Sequence, residues 1–313
     1  MNQIKIKGTF LDEISHDIPH QNWSEKEWDN DFFHMKRAGI NKVILIRSGY
    51  RNWVTYPSKV LKLEQNVINP DVDLVALFLK LSEKYNFDFF FGLYDSGKYW
   101  NEGKYIQEIN LNKKVIEEVW ENYGNSSSFK GWYISQECNK NISGIIDIYG
   151  DLGNHCKKIS NNLPVLISPY IDGVKNISQY TSDFKREKSI SIDSHFKEWE
   201  KIFSGIKGSV DIVAFQDGHV NYDELLEFIK VNKELADKNN IESWINTETF
   251  DRDMPIKFMP IKWDKLKYKL DMASKAGIKE AITFEFSHFM SPQSSYIQAN
   301  HLYNRYMDYL KKI

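Results

Sequence analysis

The chain has 313 residues, 42% hydrophobic and 27% charged, and its 41 basic and 43 acidic side chains give a formal net charge of −2. That balance, with no basic stripe, argues against a nucleic-acid partner, and no run reaches the ~18 apolar residues of a membrane span. Two cysteines, Cys138 and Cys156, are too few for a disulfide scaffold and do not form a CxxC metal motif.

Short β-branched or aromatic runs alternate with longer runs of helical period, the pattern of a parallel sheet with helices outside it. The first strand is read at residues 4–10. The opening residues lack the apolar core of a secretory leader. Two locations stay open: the cytoplasm, or a secreted or cell-surface one if a leader has been removed. Ser24 and Glu27 have the spacing of a capping box, so a helix starts there, and Gly39 is a suitable stop. Trp23, just before the cap, suits one half of a hydrophobic staple.

The second strand is 42–47, followed by an aromatic loop and a helix near 71–85. A third strand at 87–94 precedes a helix over 105–123. Further strands follow at 129–137, 164–170, 210–216, 241–249 and 281–287, and a last helix near 294–312 closes the series. Eight strand–helix units with no Pro/Gly/Ser-rich linker predict one (β/α)8 TIM barrel spanning residues 1–313 as a single domain. No GxGxxG follows the first strand, which disfavours an open dinucleotide-binding sheet. A monomer is expected.

In such a barrel the chemistry sits where strands end and βα loops begin. Charged residues there need a reason, because an unpaired buried charge is costly. Glu137, Asp217, Glu248 and Glu285 all occupy strand ends. Alternation sets Glu137 on the face of Tyr133 and Ser135, and Glu248 on that of Trp244 and Asn246. Arg47, following Val43 and Leu45, is expected to point into the mouth. Glu285 is placed with Thr283 and Ser287 on the inner face, leaving Phe284 and Phe286 toward the helices.

A glutamate ending strand four and another ending strand seven resemble the acid/base and nucleophile of the retaining "4/7" barrel superfamily of glycoside hydrolases. The resemblance implies that Glu137 is the acid/base and Glu248 the nucleophile, with Arg47 hydrogen-bonded to Glu248. One departure is Gln136, which stands where that superfamily places Asn. The segments Gly8-Thr-Phe, Trp23-Ser-Glu-Lys-Glu-Trp28 and Met35-Lys-Arg-Ala-Gly-Ile40 look like an uncharacterised family of bacterial glycosidase-like barrels. The implied substrate is an oligosaccharide or polysaccharide.

Aromatic residues make up 14% of the chain, and several fall in predicted loops. Rings stack on the apolar faces of sugars while polar groups fix the hydroxyls. Trp53, Trp100 and Tyr170 are the aromatic candidates for substrate binding, and Arg47, Gln216, Asn246, Glu285 and His288 the polar ones. No cofactor is expected. His16, His20, His219 and His288 could approach the mouth with Asp217 and Glu137, but strand one lacks a His-x-His, so no metal is assigned. Strand lysines lie at the strand starts, away from Schiff-base chemistry. A barrel that binds oligosaccharide without cutting it is the alternative.

Overall fold

The computed structural model describes residues 3–175, 189–252 and 258–312. Eight parallel strands close into a barrel: β1 (Ile6–Leu11), β2 (Lys42–Leu45), β3 (Asp88–Gly92), β4 (Phe129–Ile134), β5 (Val165–Ile167), β6 (Ile212–Gln216), β7 (Glu242–Asn246) and β8 (Ala281–Thr283). Each strand neighbours its successors in sequence, and β8 pairs with β1 through Ile6↔Ala281 and Thr9↔Thr283. This is the (β/α)8 barrel expected from the sequence.

Alternation divides the strand side chains between two cores. Phe10, Ile44, Phe90, Tyr133, Leu166, Ala214, Trp244 and Ile282, one from each strand, fill the barrel interior. Their outward neighbours, such as Val43, Leu45, Trp132, Ile134 and Ile245, pack under the helices. Gly131 is required by this packing, since a Cβ there would lie 2.3 Å from the Phe90 ring.

The helices follow the expected starts and stops. In α1 (Glu25–Arg37) the Glu27 carboxylate accepts from the Ser24 amide at 2.9 Å, and Trp23 meets Trp28 edge-on with centroids 5.0 Å apart. Capping box and staple thus both form. Gly39 then ends the helix at a φ of +81°. The outer layer continues with α2 (Lys59–Gln65), α3 (Leu74–Tyr85), α4 (Tyr105–Tyr123), α5 (Ile145–Ile159), α6 (Ile192–Ile206), α7 (Leu225–Asn239), α8 (Trp263–Lys275), the one-turn α9 (Phe286–Phe289) and α10 (Ile297–Leu310).

Several strands end sooner than their sequence runs imply: β4 stops at Ile134 and β8 at Thr283. Beyond those points the backbone is held by side chains, as where Ser135 Oγ donates to the Leu93 carbonyl. The mouth is built up by a small sheet of Gly49–Tyr50, Trp53–Val54 and Tyr94–Asp95, and by a ribbon pairing Phe250–Asp251 with Met259–Pro260.

Candidate active site

At the C-terminal end of the barrel a cavity of about 100 Å3 is lined by Glu137, Glu248, Arg47, Arg252, Gln216 and Asn246. Ser15, Asp17, Ile18, Ile46, Phe250, Phe258 and Phe284 complete it. A site for one water needs roughly 10–15 Å3, so the recess has room for several waters or a small polar group. The β6–β7 register Asn246↔Gln216 sets its two amides side by side. Gln216 also donates to the Ser168 carbonyl and Asn246 to the Ser168 hydroxyl.

Glu248 continues the inward face of β7 above Trp244 and Asn246 and is only 1% exposed. Arg252 grips it side-on: Nε donates to Oε2 at 2.8 Å and Nη2 to Oε1 at 2.7 Å. Behind it, Asp217 Oδ1 accepts from the Glu248 amide at 3.0 Å and from Lys269 Nζ at 2.7 Å. Gly218 leaves room for the carboxylate, because a Cβ would fall 1.6 Å from Oε2. Burial by itself would raise the pKa of Glu248, but the Arg252 charge and hydrogen bonds, with Lys269 and His219, outweigh it and hold the group below the ordinary value. Burial raises Asp217, with Lys269 opposing the rise.

Glu137 lies three residues past the end of β4, and the hydroxyl of the inward Tyr133 donates to its Oε1 at 2.7 Å. Burial pushes its pKa up; Arg47, the Tyr133 hydroxyl and Gln216 pull the other way without cancelling the rise. Two carboxyls of one cavity are thereby driven apart, one toward the protonated form and one toward the ionised form.

Arg47 reaches the mouth, but not by alternation. Val43 and Leu45 face the helices, and a bend at Ile46 redirects the chain. The guanidinium lies 3.9 Å from Asp95 and over the Tyr50 ring, and its charge acts on Glu137. The arginine bound to Glu248 is instead Arg252, contrary to the expected pairing. Gln136 points into the helix layer and donates to the Tyr94 carbonyl and to Glu108 of α4, so it makes no contact in the mouth.

Strand eight is read with the wrong parity from sequence. Ile282 is in the barrel interior, so Phe284 follows it into the mouth while Glu285 turns away. Glu285 and His288 are fully buried outside the cavity lining. Glu285 Oε1 takes the His288 amide at 2.6 Å and pairs with Nδ1 at 2.5 Å, while His288 Nε2 bonds the Pro19 carbonyl at 2.6 Å. The pair ties the turn after β8 to the loop after β1 and lies outside the cavity lining.

The three aromatic candidates also lie outside the cavity lining. Trp53 is 59% exposed on the rim sheet. Trp100 donates its indole N–H to Asp95 at 3.0 Å. Tyr170 bridges to the Gln216 backbone and packs edge-on against His219. The residues missed in the sequence are Arg252, Phe250, Phe258 and the Ser15–Asp17–Ile18 turn. All lie in the connections beyond the barrel strands, Phe250 in a two-residue ribbon strand, where periodicity carries no signal. Lys269 was legible: in α8 it shares the buried stripe with Leu266, Leu270 and Ala273, a place where lysine needs a partner. Among the described residues, no group of three or more His, Cys, Asp or Glu could hold a metal ion.

A family described as "Domain of unknown function (DUF4434)" matches residues 6–296. No curated protein matches the chain. Among solved structures, a "putative alpha-L-fucosidase" from Bacteroides thetaiotaomicron is 58% identical, with 99% of this chain and 94% of that chain covered and a TM-score of 0.94. The endo-1,4-beta-D-mannanase of Thermotoga petrophila shares the fold at 9% identity and a TM-score of 0.55, covering 90% and 88% of the two chains. The beta-galacturonidase of Eisenbergiella tayi does so at 13% identity and a TM-score of 0.58, covering 99% of this chain and 51% of that one. All three contain the barrel fold described above.

Proposed function

The chain belongs to the family described as Domain of unknown function (DUF4434), and we propose that it is a retaining glycoside hydrolase with Glu248 as nucleophile and Glu137 as acid/base. The observation that carries this reading is the pair of buried carboxyls beyond strands four and seven that line one cavity, Glu248 gripped by the Arg252 fork and Glu137 bonded to the Tyr133 hydroxyl. Burial pushes Glu137 up and Arg252 holds Glu248 down, the division into acid and carboxylate that glycoside hydrolysis by a carboxyl pair requires; retention is inferred from the strand-four and strand-seven placement.

In the first step the ionised Glu248 carboxylate attacks the anomeric carbon. The bond to the leaving oxygen breaks as that oxygen takes the proton of Glu137. Glu137, now a carboxylate, then removes a proton from water. That water attacks the same carbon and releases Glu248. Arg252 keeps the nucleophile ionised between turnovers.

Arg47, Gln216 and Asn246 are the polar groups placed to meet sugar hydroxyls, and Phe250, Phe258 and Phe284 form an apolar wall for a C–H face. Trp53 is an outer stacking surface, reached only by a longer chain. The description of the Bacteroides relative makes aryl fucosides the first probes, beside a panel of other aryl glycosides and glycans. Wild type should release sugar from at least one, and Glu248→Gln should release none. Glu137→Ala should retain attack on aryl glycosides with good leaving groups and regain turnover with azide. Full activity in Glu248→Gln would overturn the assignment.

A further inference from the structure

Lys269 is an unexpected side chain for its position. It lies in the middle of α8, 4% exposed, and crosses from the helix layer to the back of the mouth. Its ammonium donates to Asp217 Oδ1 at 2.7 Å and to the Glu248 carbonyl at 3.2 Å. Asp217 Oδ1 in turn accepts from the Glu248 amide. Both backbone polar groups of residue 248 are therefore bound by one buried ion pair, whose members come from the β6 end and from α8. A buried pair of this kind rarely stabilises more than apolar residues of the same volume would, which favours a role other than stability.

We propose that the Lys269–Asp217 pair is the positioning element of Glu248: Asp217 fixes the orientation of the backbone that carries the carboxylate, and Lys269 supplies a second buried cation behind it. Resting on the assignment of Glu248 above, this adds two residues that touch no substrate and act through the glutamate. Arg252 approaches Glu248 from its own loop, Lys269 from α8, His219 and Asp217 from the segment after β6, and Glu137 and Arg47 face the same cavity. Removing one member of the pair leaves the other charges in place but unbalances the field at Glu248. The sign depends on which member goes.

The test reads Glu248 directly and needs no substrate, so it stands apart from whether any glycoside is cleaved. In full-length protein labelled with 13C at the glutamate carboxyl carbon, the Glu248 resonance is identified by its loss in Glu248→Gln and titrated against pH. In Lys269→Met the Glu248 midpoint should rise by on the order of one pH unit. In Asp217→Asn it should fall or stay, since the ammonium remains while the neighbouring negative charge is gone. The Glu137 midpoint, raised by burial and opposed by Arg47, Tyr133 and Gln216, should hold in both. If Lys269→Met fails to fold, Lys269→Gln with Asp217→Asn supplies the same contrast. Glu248 midpoints that do not move in the lysine variant, or that rise equally in both, would overturn the proposal, because a purely structural pair would perturb Glu248 without regard to sign.

Discussion

At the scale of single residues, the account depends on which groups hold the two glutamates. The positions of Glu137 and Glu248 were legible because the inward parity of Tyr133 and Trp244 carries on past the last ladder residues, Ile134 and Asn246. Their partners were not. Arg252 is four residues past Glu248 on a loop, and only the folded chain brings its fork to the carboxylate. The bidentate grip predicts a pH–rate profile whose acid limb reflects ionisation of Glu248 and whose basic limb reflects loss of the Glu137 proton. Activity should rise as pH climbs through the depressed Glu248 value and fall as it passes the elevated Glu137 value. Arg252→Met removes the largest opposing charge, so the acid limb should move to higher pH while the basic limb stays. An acid limb unchanged in that variant would mean that Arg252 does not keep Glu248 ionised.

At the scale of elements, three helices turn a charged side chain inward, and each charge secures a loop at the mouth. Asp31 of α1 accepts from Ser287 and from Ser291 at 2.5 Å. Glu108 of α4 accepts from the Ser96 amide at 3.1 Å, the Ser96 hydroxyl at 2.5 Å and Gln136 at 2.9 Å. Lys269 of α8 serves Asp217. The barrel itself was readable from periodicity, capping residues and spacing, whereas these pins, though they fall within the buried helical stripes, were passed over because the pattern was read only for its apolar residues. The parity of β8 was lost for a related reason. Its ladder is three residues long, too short to fix from sequence which of Ile282 and Thr283 faces inward. Replacing Glu108 by Ala strands the Ser96 amide and removes one of the two acceptors of the Gln136 amide, the Tyr94 carbonyl remaining, at a cost of about 3 kcal/mol. Glu108→Gln keeps an acceptor and should lose much less. Urea denaturation of the two variants distinguishes them; equal, small losses would remove Glu108 from this role.

At the scale of the whole molecule, Glu13, Asp31, Glu108 and His288 tie stability to pH with one sign. The three acids outnumber His195, which burial lowers to about 4 and which opposes them only below the ordinary histidine value. Burial raises Glu13, Asp31 and Glu108 each to about 7. His288 is raised to about 9: burial lowers it, but the Glu285 carboxylate more than compensates. Each group holds its proton more tightly in the folded state than in the unfolded one. Folding then loses stability as pH rises, first between the ordinary carboxyl value and about 7, then from the ordinary histidine value to about 9. Denaturant midpoints should fall from about pH 5 to about pH 9, the upper part of the fall disappearing in His288→Gln; a flat or rising series would contradict the buried network. The claim that joins all three scales is that Glu248 becomes covalently bonded to sugar. Its most direct test is incubation with 2-deoxy-2-fluoroglycosyl fluorides of the sugars that the protein cleaves, followed by intact mass and peptide mapping. The account predicts a single glycosyl adduct, carried by Glu248. An adduct on Glu137, Asp217 or any other side chain, or hydrolysis of a parent glycoside with inverted anomeric configuration and no adduct, would contradict it.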